Sequence, residues 1–174
     1  MQKKTYLIFF IIISIFLNSP LYSELLDFNN FTARNYPYDA SAGSWTVENN
    51  GSSVTQTVNS GPSMFLSDQT FDGAYKYTGK MMTPGDDDYI GLVFGFQSDE
   101  AFYLLDWKEG YQRLLEVDGL RGIALKRFDS LPEDRAPFWQ TAGTPGVSEQ
   151  LFYQDVPRID NDTYDFVLMH DPGT

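Results

Sequence analysis

The sequence predicts an all-β domain, a sandwich of jelly-roll type made of two antiparallel sheets, and three observations predict it. Beyond residue 23 no long stretch places apolar residues at helical spacing. Short apolar and aromatic runs recur instead, separated by clusters of Gly, Pro, Asn, Asp and Ser. Aromatic residues make up 16% of the chain (14 Phe, 11 Tyr, 3 Trp), and two sheets packed face to face bury that much alternating aromatic surface most economically.

The elements follow in chain order. Lys3 and Lys4 precede the apolar run 6–17 (YLIFFIIISIFL), which falls short of the ~20 residues a membrane-spanning helix needs. Pro20 and the small Ser23 then offer a break and a cleavage position, so residues 1–23 read as a secretion signal and 24–174 as one domain. That reading puts the mature chain in the extracellular space, or in the periplasm of a Gram-negative source, with no membrane insertion after cleavage. Strands are expected at 44–47, 53–58, 63–66, 74–81, 89–97, 102–107, 122–128 and 164–169. Val54, Gln56 and Val58 alternate with Thr55 and Thr57, giving that strand an apolar and a hydroxyl face. Ile90, Leu92, Val93, Phe94 and Phe96 form a nearly continuous apolar run, the pattern of a central strand covered on both faces. Ser98-Asp99-Glu100 reads as a hairpin turn into the next strand. The segment 130–147, with Pro132, Pro137, Pro145, Gly143 and Gly146, reads as a long surface loop with a short ordered piece around Phe138 and Trp139.

Charge and composition remove several function classes. The formal net charge is −12, and removal of Lys3 and Lys4 with the signal makes it more negative. Such a surface repels phosphate backbones and anionic lipid heads, so a nucleic-acid partner is excluded. With no cysteine there are no disulfides, thiolate metal sites or thiol nucleophiles. Phosphate-binding glycine loops, EF-hand loops and a Gly-x-Ser-x-Gly elbow are all missing.

Several ordered motifs carry a resemblance. Residues 85–108 read GDDDYIGLVFGFQSDEAFYLLDWK: a run of aspartates, an aromatic, a glycine, an apolar strand with Phe-Gly-Phe-Gln, and a second strand ending in Trp-Lys. Upstream stand Val54-Thr55-Gln56, Asn59 and the segment 63–68; downstream stand Gly122-Ile123-Ala124-Leu125-Lys126 and the His170-Asp171-Pro172 end of YDFVLMHDP. Over 44–174 this resembles the thrombospondin C-terminal domain family. The resemblance implies a concanavalin A-like lectin sandwich, secretion, calcium binding, and a role in adhesion to an extracellular protein or glycan. The chain departs from the animal members in lacking calcium-binding repeats ahead of the domain and in lacking cysteine. It also stops at Thr174, where the family continues into another strand, so the domain is expected to be truncated at its C-terminal strand.

The candidate chemistry is acidic. Asp86, Asp87 and Asp88 read, by residue type alone, either as a solvated acidic turn ahead of a strand or as hard oxygen ligands, with Gly85 allowing the turn and Pro84 stiffening it. The resemblance implies calcium there. Asp160 and Asp162, with Asn161 and Asp165, offer a second cation cluster, against which stands an ordinary solvated loop. Asp72 reads as turn chemistry. Trp107 and Trp139, with Tyr103 and Phe102, offer a ligand platform or else core packing. The rival class is a carbohydrate-active enzyme using Asp106 with Glu109 or Glu116. Leu104 stands where the Glu-x-Asp-x-x-Glu arrangement of some glucanases needs its nucleophile, so the reading chosen is non-catalytic. A buried Asp106 would need Lys126 or Arg127 as its partner. His170, the single histidine, reads as a packed strand-edge residue.

Overall fold

The computed structural model describes residues 25–36, 38, 41–85, 88–171 and 173. The expected signal at 1–23 lies outside them, as do Asp86 and Asp87. In chain order the strands are β1 (Phe31–Asn35), β2 (Trp45–Glu48), β3 (Ser53–Gln56), β4 (Ser63–Ser67), β5 (Tyr75–Met81), β6 (Tyr89–Ser98) and β7 (Ala101–Lys108). They continue with β8 (Gln112–Leu114), β9 (Val117–Gly119), β10 (Gly122–Phe128), β11 (Gly143–Thr144), β12 (Ser148–Gln154) and β13 (Tyr164–His170). One helical turn, α1 (Ala136–Trp139), interrupts the segment between β10 and β11. The fold is an all-β sandwich in which every strand pairing is antiparallel.

A five-stranded sheet in the order β11-β12-β10-β7-β6 forms the centre. Strict alternation along β7 decides what each of its faces carries. Phe102, Leu104, Asp106 and Lys108 are buried on one face, and Tyr103, Leu105 and Trp107 point to the other. β10 repeats the alternation in register, with Asp106 opposite Ala124, Leu105 opposite Leu125 and Leu104 opposite Lys126. The expected turn after β6 is present, since Ser98 pairs with Ala101. β6 itself ends the sheet instead of lying at its centre. Its apolar run is explained by cover on both faces: Tyr89 and Val93 join one cluster and Phe94 joins the other. Within β6, Gly95 takes φ +56, and the pairing with β7 shifts register between Phe94 and Ser98.

The two faces are covered by different material. Over the first lie Tyr36 after β1, Met64 of β4 and Phe138 of α1, which close a core with Phe102, Leu104 and Phe128. The Phe102 and Phe128 rings stack at 4.4 Å, and Phe138 lies 5.0 Å from Phe128. Over the second face lies the β13–β5 ladder, whose inward residues are Tyr164, Phe166, Leu168 and His170. Trp107 meets Tyr164 at 4.5 Å, while His170 sits 5.6 Å from Phe94 and 6.0 Å from Tyr103. The layers facing the central sheet are thus two-stranded ladders, β1–β4 and β13–β5, and not one continuous sheet, while β2–β3 meets β4 through Trp45 on Phe65. The segment 130–147 is more ordered than a plain loop: Pro137, Phe138 and Trp139 are buried in α1, and β11 pairs with β12.

Candidate functional site

The acidic turn begins where β5 ends and finishes where β6 starts. Gly85 takes φ +77, the left-handed conformation that lets the chain reverse there without a Cβ clash. On either side of it stand Thr83, which is buried, and Asp88, which is half-buried. Both are held from the loop between β12 and β13. The guanidinium of Arg158 is fully enclosed, with 0% of its side chain exposed. Nη1 donates to Thr83 Oγ1 and, at 2.6 Å, to Asp160 Oδ1, while Nη2 donates to the Asp88 carbonyl at 3.0 Å. The Arg158 amide donates to the Lys108 carbonyl at 3.4 Å, and the Asn161 amide donates to the Thr83 carbonyl at 2.8 Å. Four backbone and side-chain links therefore tie Thr83, Asp88 and the end of β7 to the segment 158–161, around one buried cation.

This arrangement sorts the two acidic clusters. Asp160 is engaged by Arg158, whereas Asp162 is exposed and Asp165 meets Lys80 at 3.5 Å on the outer face of the β13–β5 ladder. The second cluster is thus not gathered on one point. Among the described residues no group of three or more His, Asp or Glu side chains stands close enough to hold a metal ion. Of the acidic triplet only Asp88 lies among the described residues, half-buried just ahead of β6.

A second buried charge cluster lies on the first face of the central sheet. Asp106 is 1% exposed, and its Oδ1 accepts from Lys108 Nζ at 3.2 Å. Its Oδ2 faces Lys126 Nζ at 2.7 Å in a charge contact, without the alignment of a hydrogen bond. Lys126 also donates to the carbonyls of Phe138 (2.6 Å), Gln140 (3.3 Å) and Pro137 (3.4 Å), so one ammonium collects the open end of α1. The Lys108 ammonium lies 4.8 Å from the Tyr89 ring centre and 5.5 Å from that of Trp139. Burial drives Lys108 down from 10.5 to about 8; Asp106 opposes that shift and Lys126 adds to it. Lys126 is the partner the sequence offered for Asp106, and Lys108, two residues along the same strand, was missed. Alternation alone places Lys108 beside Asp106 on the buried face. Arg127 points to the other face and pairs with Asp129 and Glu149.

These placements dispose of the acid-pair arrangement. Asp106 sits between two ammonium groups with no route to solvent, and Glu116 is 90% exposed and paired with Arg113 at 2.8 Å. With Asp106 committed to buried lysines and Glu116 on the surface, the enzyme reading is not favoured. The two tryptophans do not form one platform. Trp139 is buried on the first face against Tyr89, while Trp107 lies on the second against Tyr164 and donates to the Val156 carbonyl at 2.6 Å. His170 packs among Tyr75, Phe94 and Tyr103 rings at the end of β13. Among the described residues no helix is long and apolar enough to cross a membrane.

Comparison with known proteins gives a consistent result. The family described as the thrombospondin C-terminal region matches residues 40–174. Thrombospondin-2 of Gallus gallus is 32% identical over 142 residues, covering 75% of this chain and 12% of that protein. Thrombospondin-2 of Homo sapiens is 32% identical over 143 residues, with the same coverage. Cartilage oligomeric matrix protein of Rattus norvegicus is 30% identical over 141 residues, 74% of this chain and 18% of its own length. The chain therefore corresponds to a small part of each of these relatives.

Proposed function

The chain belongs to the thrombospondin C-terminal family, and from that premise we propose that it is a secreted, calcium-binding, non-catalytic adhesion module. Its partner is an extracellular protein or glycan. The observation that carries the reading is the family match across the sandwich from residue 40 to residue 174. The names of the relatives, thrombospondin and a matrix protein, agree with a role outside the cell. Asp86, Asp87 and Asp88 are the residues proposed to hold the ion, since consecutive carboxylates beside a glycine turn offer hard oxygens. Calcium supplies a dense positive charge there. The protein supplies the anchoring: Asp88 immediately precedes β6, and Arg158 fixes its carbonyl to the neighbouring loop. A fixed loop at one end of a sandwich gives a partner a surface of constant shape, at less ordering entropy on binding.

The test is thermal unfolding of the chain in chelator, in millimolar calcium and in millimolar magnesium. A ligand that binds only the folded state raises its stability by mass action. The expected result is a higher midpoint in calcium than in magnesium, lost in the Asp86→Asn, Asp88→Asn double variant. Equal midpoints in all three buffers would overturn the calcium reading.

A further inference from the structure

We propose that two copies of this chain clasp each other, the outer face of the β13–β5 ladder of one lying on an uncovered step of the central sheet of the other. The step follows from the stacking order. Tyr164 against Trp107 and His170 against Tyr103 place β13 over β7, and Tyr75, whose hydroxyl accepts from the Gly95 amide at 3.3 Å, places β5 over β6. The sheet runs on past β7 to β10 and β12, and among the described residues no strand pairs with β13 on that side. Ile123, Leu125 and Phe152 share the second face there, beyond the ladder, and Phe152 is 48% exposed. The step is two full strands wide, as the ladder is, and β5, β10, β12 and β13 each have seven residues.

The outer face of the ladder is the matching surface. Val167 and Met169 are 59% and 74% exposed there, beside Thr78 and Lys76 of β5. A twofold axis parallel to the strands, at the open edge of β13, turns the ladder of each copy onto the step of the other and makes both contacts at once. It also keeps every row of side chains at its own height along the strands. His170 lies beside Tyr103, Tyr103 stands opposite Arg127, and Arg127 stands opposite Glu149. The Met169–Lys76 row of one copy therefore meets the Glu149 row of the other, while Val167 and Thr78 meet Leu125 and Phe152. Charge favours that match. Two carboxylates, Asp129 and Glu149, share Arg127 at this end of the step, which leaves it negative. On the ladder Lys80 is already paired with Asp165, and Lys76 is the cation left to answer Glu149. A copy that offered its inner ladder face instead is excluded, because its own central sheet backs that face and would fill the space of β10 and β12.

The experiment is sedimentation of the full chain over a concentration series, with chelator present throughout so that the calcium reading stands or falls separately. The expected result is a monomer–dimer equilibrium. Phe152→Ser on the step and Met169→Ser on the ladder should each weaken the dimer about tenfold or more. Both side chains are largely exposed in one copy, so the fold is not at stake. Lys76→Glu and Glu149→Lys should each weaken it as well, and the two together should restore it, because the swapped charges meet again across the axis. A chain that stays monomeric throughout overturns the proposal. So does a dimer that Phe152→Ser and Met169→Ser leave intact, since it uses another face. A dimer weakened by only one of those two shows that step and ladder do not meet each other. Failure of the double charge variant to recover breaks the row match. Species that grow beyond the dimer mark a contact that does not close, and they overturn the twofold arrangement.

Discussion

The two faces of the central sheet are held by opposite kinds of contact. On the first, Asp106, Lys108 and Lys126 are sealed among Phe102, Leu104, Phe128 and Phe138, and the Lys126 ammonium reaches three carbonyls of the α1 turn. On the second, the β13–β5 ladder rests on rings, Tyr164 on Trp107 and His170 on Phe94 and Tyr103. The first set of contacts is directional: a buried charge tolerates one arrangement of partners and penalises every other. The second is an area term, in which ring contacts add gradually and a partial loss is tolerated. The difference teaches that β7 alternates not only inward and outward but also between two ways of fixing a layer.

The largest effect should come from the anion of the buried triad. Asp106→Asn leaves two enclosed ammonium groups without a counter-charge, and denaturant unfolding should show a loss of about 3–5 kcal/mol. A loss under 1 kcal/mol would mean the lysines have another outlet, and the contrast between the faces would collapse. Next comes Lys126→Met, which keeps Asp106 paired with Lys108 but strips a donor from the Phe138, Gln140 and Pro137 carbonyls. About 2–3 kcal/mol is expected, with faster exchange confined to 136–140.

The third prediction concerns pH. Lys108 holds its proton more weakly when folded, at about 8 against 10.5, so between those values the unfolded chain carries more protons. Stability should therefore rise with pH from about 8 towards 10, by on the order of 2 kcal/mol. Above pH 10 the buried tyrosines reverse the trend. Tyr36 is pushed up to about 12 by burial and Tyr89 is raised further, so the native state keeps protons that the unfolded chain has lost. Unfolding free energies at pH 8 and 10 for the parent and for Lys108→Met should show the rise only in the parent. The smallest effect is expected on the second face. His170→Ala removes three ring contacts from a half-buried side chain and should cost about 1 kcal/mol. A loss as large as that of Asp106→Asn would show that the ladder is as exacting as the charge cluster.

The sequence made the alternation legible, and with it the strands that became β2, β3, β4, β5, β6, β7, β10 and β13. What it hid has physical reasons. β12 reads SEQLFYQ, with a register shift opposite Leu125 and Lys126, so its pattern breaks the period that marks a half-buried strand. The β8–β9 hairpin turns at Leu115 and Glu116, both at positive φ, where Asn-Gly is the usual signal. Asp106 could be seen to need a cation, and the period of β7 marks Lys108 as one of two, but a lysine at a strand end reads as an exposed residue until the neighbouring strands bury it. Arg158 was invisible as a site residue because its partners, at positions 83 and 88, lie some seventy residues away along the chain.

The burial of Lys108 and Lys126 has a practical consequence for the chemistry of the surface. The other lysines of the described chain, Lys76 and Lys80, are exposed on alternate positions of β5, on the side turned away from the central sheet. Amine-directed labelling of side chains in the folded domain will therefore mark one outer face, beside Val167 and Met169. A domain coupled to a solid support through those amines should be held by that face.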